Sequence, residues 1–251
     1  MSRLARKNIR ELKETGVVLE FETKQVKTNL LIKQIEPLTL NQELTFKAYN
    51  KNRNILLHGL AGTGKTFLSL YLSLKEVLGK SKYKKVIIVR SVVPTRDMGF
   101  LPGTQKEKTK VYEAPYQAVC NELFGRGDAY EVLKGRGIIE FVSTSFIRGT
   151  TIGNSIVIVD EVNNMTFHEL DSVITRLGHN SKILLCGDFR QSDLIKQSDR
   201  NGLRHFMNIL EKMGSFEHIE FEQEDIVRSG LVKEYIIVKD RLGYSSGTLQ
   251  V

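Results

Sequence analysis

Short apolar runs recur along the chain at wide intervals: "NILLH" (54–58), "KVIIV" (85–89), "GIIEFV" (137–142), "SIVIVD" (155–160), "KILLCG" (182–187) and "FEHIEF" (216–221). Most lack polar alternation, as expected of strands buried on both faces. Between the last two inner runs the pattern changes to helical spacing. In "TFHELDSVITRLG" the residues Leu170, Val173, Ile174 and Leu177 recur at that period, Thr166 and Glu169 are set as a capping box, and Gly178 closes the segment. In "NGLRHFMNILEKMG" the residues Leu203, Phe206, Met207, Leu210 and Met213 form a second apolar stripe. Both stripes are predicted to be core. Alternating strand and helix segments predict an α/β fold, a mainly parallel sheet with helices on both faces.

Composition narrows the picture. The 251 residues, 41% of them hydrophobic, suit one substantial core. The expected division is a polar, initially basic extension over residues 1–30 and a single domain over 31–251. A net charge of +8 favours a polyanionic partner or, equally, a solvated basic face. Cys120 and Cys186 have no metal-ligand spacing, and reduced thiols in a cytoplasmic protein are expected. There is no apolar signal core and no apolar run of membrane-spanning length, so no membrane partner is expected.

The candidate chemistry begins at "HGLAGTGKTF" (58–67), set between a strand and a helix. Gly59-Leu60-Ala61-Gly62-Thr63-Gly64-Lys65-Thr66 satisfies G-x-x-x-x-G-K-[ST], the phosphate loop called Walker A. The glycines let backbone N–H groups point inward, and the positive end of the following helix joins them, so that phosphate oxygens fit the concavity. Lys65 supplies charge to the β- and γ-phosphates and Thr66 a hydroxyl for Mg²⁺; Phe67 completes the nucleotide-binding segment. A second element, "SIVIVDEVNN", ends an apolar strand in Asp160 and Glu161, a Walker B pattern. Asp160 is placed to hold Mg²⁺ and Glu161 to orient and deprotonate a water, which implies hydrolysis rather than transfer to a bound hydroxyl. A third, "LLCGDFRQSDL", carries Gln191, a neutral amide suited to sensing the γ-phosphate.

The order of these pieces resembles the first RecA-like P-loop NTPase domain of superfamily 1 helicases, whose motif III reads G-D-x-x-Q. In that resemblance Gln42 of "PLTLNQELTF" matches the adenine-reading glutamine, implying ATP as the nucleotide. A narrower resemblance lies in "VRSVVPTRDMGFLPGTQKEKTKVYEAPY" (89–116), "FIRGTTIGNSIVIVDEVNN" and "DIVRSGLVKEYI". These are similar to the PhoH-like ATPases, with their "GFLPG", "EK", proline-tyrosine, "RGRT" and "DEAQN" elements, over roughly residues 34–240. There are two departures. Val162 and Asn163 replace the family's alanine and glutamine, removing a polar contact expected beside the acidic pair, and "RGTT" replaces "RGRT". The compact form of the family is common in bacteriophage genomes.

Only 60 residues follow Gln191, too few for the second RecA-like domain of a helicase. The missing half of the site is therefore expected from a neighbouring subunit, and the resemblance implies a closed ring, a hexamer. Arg228 is the first candidate for the arginine that neutralises transition-state charge, and Arg148 the second. The resemblance also assigns the loop after motif Ia to nucleic-acid backbone, so Thr95, Arg96, Lys106, Lys108 and Lys110 are the expected contacts to a single strand, RNA being favoured. Phe100 and Tyr112 are the aromatics available for stacking. The alternative is a ring that uses ATP to switch affinity for a protein partner. A nuclease is not expected, because no second carboxylate cluster is visible.

Overall fold

The computed structural model describes residues 30–251 apart from 80, 93–104, 148, 150, 193, 195 and 244–251, with residues 105–109 described in their backbone alone. The chain divides into two compact units, Met1–Leu31 and Ile32–Val251, and the architecture below is that of the second. Six strands, β1 (Asn54–Gly59), β2 (Lys85–Arg90), β3 (Ile139–Ser143), β4 (Ser155–Asp160), β5 (Ser181–Gly187) and β6 (Phe216–Phe221), form one sheet in the order β3-β2-β4-β5-β1-β6. All neighbours pair in parallel. The helices are α1 (Leu40–Asn50), α2 (Lys65–Leu78), α3 (Gln105–Phe124), α4 (Ala129–Gly135), α5 (Phe167–Ile174), α6 (Gln197–Lys212) and α7 (Gly230–Arg241).

Alternate side chains of each inner strand face opposite ways. Leu56, Ile87, Val89, Val157, Val159, Ile183 and Leu185 share one cluster with Leu170 and Val173 of α5 and Leu203, Phe206 and Leu210 of α6. On the other face α2 lies under the sheet, with Ser69 Oγ 3.1 Å from Cys186 Sγ. Burial on both faces explains why β1, β2, β4 and β5 read as unbroken apolar runs. Burial also pushes the free Cys120 thiol up to about 12 and Cys186 further still, leaving both inert. Among the described residues no helix is long and apolar enough to cross a membrane.

The capping box of Thr166 and Glu169 is formed, but α5 stops at Ile174, short of the predicted end at Gly178. The backbone of the next residues has other partners. Ile152 N–H donates to Arg176 O at 2.8 Å, and Gly178 N–H donates to Ile152 O at 2.6 Å, so a bridge to residue 152 replaces the last helical turn. Leu177 still packs against the core.

Because the sheet is parallel, the carboxyl ends of its strands share one edge, where ligands of open α/β sheets bind. That edge brings together Gly59, Arg90, Asp160, Gly187 and Phe221.

Candidate active site: a phosphate loop facing an acidic strand

The turn from β1 into α2 depends on its glycines. Gly59, Gly62 and Gly64 have φ of 110°, 77° and 90°, and a Cβ on Gly59 would strike the carbonyl of Phe221, to which Leu60 N–H donates at 3.0 Å. Gly64 is the N-cap of α2 and offers no side-chain cap, so the first N–H groups of the helix are left for an anion. Leu60 and Thr63 are buried and Ala61 is exposed. Lys65 Nζ donates to Gly59 O (2.8 Å), Leu60 O (2.6 Å) and Thr63 Oγ1 (3.3 Å). Burial lowers the Lys65 pKa, opposed by the carboxylates of Asp188, Glu161 and Asp160. Phe67 is half-buried in the first turn of α2.

The loop meets the acidic strand directly. Thr66 Oγ1 donates to Asp160 Oδ1 at 2.8 Å, and Tyr116 Oη of α3 donates to Asp160 Oδ2 at 2.8 Å, so both oxygens of a buried carboxylate are oriented. Burial and the Asp160 charge hold the Tyr116 phenol in its neutral, donating form. Glu161 has φ 57° and ψ 43°, a left-handed conformation uncommon for a residue with a side chain. It turns the chain sharply at the end of β4. Burial, followed by the Asp160 charge, pushes the Glu161 carboxyl up, with Arg90, Lys65 and a hydrogen bond from Asn163 pulling the other way. Arg90, at the end of β2, stays charged: burial would lower it, but Tyr116, Asp160 and Glu161 outweigh that. Its guanidinium lies 5.9 Å from the Tyr112 ring centroid.

The polar contact expected to be lost with the family's glutamine is present. Asn163, 2% exposed, accepts from Asp188 N–H at 3.0 Å and donates to the Gln191 carbonyl, while Ser192 Oγ donates to the Asn163 carbonyl at 2.7 Å. The shorter amide reaches because Gly187 lets the strands approach: a Cβ there would lie 2.6 Å from Val162 Cγ2 and 2.8 Å from Asn163 Oδ1. Asp188 keeps one buried oxygen, Oδ2, without a partner among the described residues, and burial raises its pKa. The Gln191 amide oxygen accepts from Lys239 Nζ of α7 at 3.4 Å.

Gln42 lies against the phosphate loop. Its Oε1 accepts from Leu38 N–H at 2.9 Å and its Nε2 donates to Thr63 O at 3.1 Å, leaving one lone pair and one N–H for a base edge. Arg228 is not remote from its own loop. A Cβ on Gly62 would meet Arg228 Cγ at 2.9 Å and Ile236 Cδ1 at 3.3 Å, and Val227 N–H donates to Gly62 O at 3.1 Å. Arg148, Thr95, Arg96 and Phe100 lie outside the described residues, as do the side chains of Lys106 and Lys108; Lys110 is exposed on α3.

The donors that face the loop are a hydroxyl and a carboxylate, hard oxygens suited to Mg²⁺. Among the described residues no group of three His, Cys, Asp or Glu side chains could hold a metal, so an ion here would complete its shell from phosphate and water. Sequence reasoning missed Tyr116 and Arg90 as parts of this site. Each comes from another segment; Arg90 and the Pro115-Tyr116 pair lie within the segment 89–116 that carries the family resemblance, but nothing in that pattern assigns either side chain to the acidic pair.

A family model described as PhoH-like protein matches residues 34–239. A PhoH-like protein of Bacillus subtilis (strain 168) is 34% identical over 218 residues, covering 86% of this chain and 67% of that protein. One of Mycobacterium leprae (strain TN) is 33% identical over 210 residues, covering 81% of this chain and 58% of that protein. The chain thus spans only part of the length of these relatives. Among solved structures, a large terminase from a thermophilic bacteriophage overlaps with a TM-score of 0.46 at 13% identity, over 80% of this chain and 50% of that one. The Pif1 helicase from Candida albicans overlaps with a TM-score of 0.40 at 16% identity, over 83% and 44%.

Proposed function

The chain belongs to the PhoH-like protein family, and we propose that it is a Mg²⁺-dependent P-loop ATPase whose turnover is coupled to binding single-stranded nucleic acid, with RNA preferred. The observation that carries the reading is the 2.8 Å hydrogen bond between Thr66 Oγ1 and Asp160 Oδ1, which joins the phosphate loop to the acidic strand at the point where a nucleotide's metal would sit. Residues 59–67 cradle the phosphates through backbone N–H groups. Lys65 leaves the loop carbonyls for the β- and γ-phosphates, and Gln42 reads the adenine edge. Thr66 and Asp160 would hold Mg²⁺, which when bound would neutralise charge on the phosphates. Glu161 aligns a water and takes its proton as the water oxygen bonds to the γ-phosphorus and the bond to the bridging oxygen of ADP breaks; a carboxyl raised toward neutrality is the better base for this. Gln191 senses the γ-phosphate. Arg228, beside Gly62 of its own chain, would act as an arginine finger in cis, which leaves Arg148 as the candidate in trans.

The exposed face of α7 supports a homo-oligomer. None of its residues is buried, and Leu231, Tyr235 and Val238 are 79%, 66% and 45% exposed. We take this helix as a subunit contact in a ring, a hexamer, built from a single domain over residues 31–251 and acting in the cytoplasm. The same face favours a second reading, a nucleotide-dependent switch that grips a protein partner.

Steady-state ATP hydrolysis with Mg²⁺, with and without single-stranded RNA and DNA, separates the two. Stimulation by one polymer, abolished in Glu161→Gln, supports the first reading. Turnover indifferent to both polymers but abolished in Glu161→Gln leaves the ATPase and favours the second.

A further inference from the structure

Behind the Gln191 loop a cavity of about 340 Å³ lies against α6. Arg190, Arg200 and Arg204 line it, together with Phe189, Ser192 and Met207, and among the described residues no Asp or Glu does. Arg200 and Arg204 are four residues apart on α6 and so share one of its faces. Like charges so placed repel. The counter-charges of Arg190 are Glu220 at 3.1 Å and Asp240 at 3.3 Å, neither of which lines the cavity. Arg200 Nε donates to Leu194 O at 2.7 Å, a neutral acceptor. No hydrogen bond or ion pair engages Arg204 among the described residues, and it is exposed.

We propose that this cavity binds one unit of a single-stranded nucleic acid, its phosphates held by Arg200 and Arg204 and its sugar or base lying on Phe189 and Met207. The inference rests on the nucleic-acid reading above and names where the strand is gripped. Guanidinium forks match phosphate oxygens in pairs, a flat aromatic tolerates any base, and the volume falls at the small end of ligand sites, about 300–1,000 Å³. The cavity also shares a wall with the hydrolytic site. Ser192 Oγ is bonded to the Asn163 carbonyl, and the Asn163 amide holds Asp188 N–H and the Gln191 carbonyl. A strand seated here bears on the segment that carries Gln191 and, through Asn163, on the turn that carries Glu161, which gives binding a route to turnover.

The test is anisotropy of fluorescein-labelled single-stranded RNA and DNA titrated with the full chain across a range of NaCl concentrations. Arg200→Ala/Arg204→Ala is expected to weaken binding about tenfold or more and to flatten the slope of log affinity against log salt by about 1.4, two phosphates at roughly 0.7 each. Arg204→Glu, at an exposed position, should weaken binding in the same direction without disturbing the fold. Lys51→Ala/Lys84→Ala removes equal charge from exposed positions at the opposite edge of the sheet and should leave affinity and slope unchanged. If both arginine variants bind with the affinity and slope of the wild type, or the lysine control weakens binding as much as they do, the site is overturned while the nucleic-acid reading stands. If the wild type binds neither polymer, both fall.

Discussion

Val162 and Asn163 stand where the family pattern "DEAQN" has alanine and glutamine, and both press on the same neighbour, Gly187. Val162 is fully buried and Asn163 nearly so. Val162→Ala deletes two buried carbons; at about 0.8 kcal/mol each plus part of a cavity term, the cost is about 2–3 kcal/mol. Asn163→Gln inserts a methylene where Gly187 already touches the side chain and displaces the amide from Asp188 N–H and the Gln191 carbonyl, a cost of about 1–3 kcal/mol. The two changes are opposite in volume and share one contact. The double variant should therefore be more stable than the sum of the singles predicts, with a coupling of about 1–2 kcal/mol. Urea unfolding of the four proteins, followed by circular dichroism in the absence of nucleotide, measures it. Additivity to within about 0.5 kcal/mol would refute the shared-contact argument.

Three further outcomes are expected. Ser91 and Thr144 hydroxyls donate to Glu169 Oε1 (2.8 and 2.6 Å), and Thr166 donates to Oε2 through N–H and Oγ1 (2.9 and 3.0 Å); burial would raise this carboxyl, but these donors hold it below its ordinary 4.5. The contribution is thus present above pH 4.5 and lost as the pH falls below it. Glu169→Gln should cost about 1–2 kcal/mol at pH 7, with the gap narrowing on acidification in urea melts; a gap that widens would contradict the assignment. Lys182, 2% exposed, has its ammonium 3.2 Å from Glu76 Oε2 and 3.7 Å from the Tyr49 ring centroid. Glu76→Ala should lower stability by about 3 kcal/mol through the stranded charge, and Glu76→Leu/Lys182→Met should recover most of it; a double variant as unstable as the single would show that the charge is not the cause. Tyr116→Phe removes the donor to Asp160 Oδ2 and should cost about 1.5–3 kcal/mol and weaken binding of a fluorescent ATP analogue; unchanged values for both would exclude Tyr116 from orienting Asp160.

The four inner strands are legible in the chain because a parallel sheet covered on both sides needs apolar residues at consecutive positions, and their short length and content of Val and Ile separate most of them from a buried helix such as α2, whose residues 68–74 are also buried throughout. The edge strands β3 and β6 are legible more faintly, since each keeps polar positions between its buried ones. The capping box of α5 is a local signal too, because Thr166 and Glu169 act within one turn. The end of that helix is not. Gly178 has the look of a helix terminator, yet Arg176 and Gly178 bond to Ile152, a residue more than twenty positions earlier, and no local spacing records such a pairing. The helices α1, α3, α4 and α7 also escape a firm reading. None of the residues of α7 is buried, so there is no buried stripe for periodicity to report.

The site divides along the same line. Gly59, Gly64, Lys65 and Thr66 are close in sequence because the phosphate cradle is a single turn, and Asp160 and Glu161 are adjacent because a strand end presents them together. Tyr116 and Arg90 act on the same acidic pair but arrive from α3 and β2, Arg90 because β2 pairs with β4 and Tyr116 through the packing of a helix, neither of which local spacing records. Asn163 shows the converse. Its identity, against a family glutamine, suggests a lost contact, whereas the distance that matters is set by Gly187 on the neighbouring strand, which admits Val162 and the shorter amide together. A residue substitution next to a catalytic pair therefore has to be judged against the width of the gap it fills, and here that gap is defined by the parallel pairing of β4 with β5.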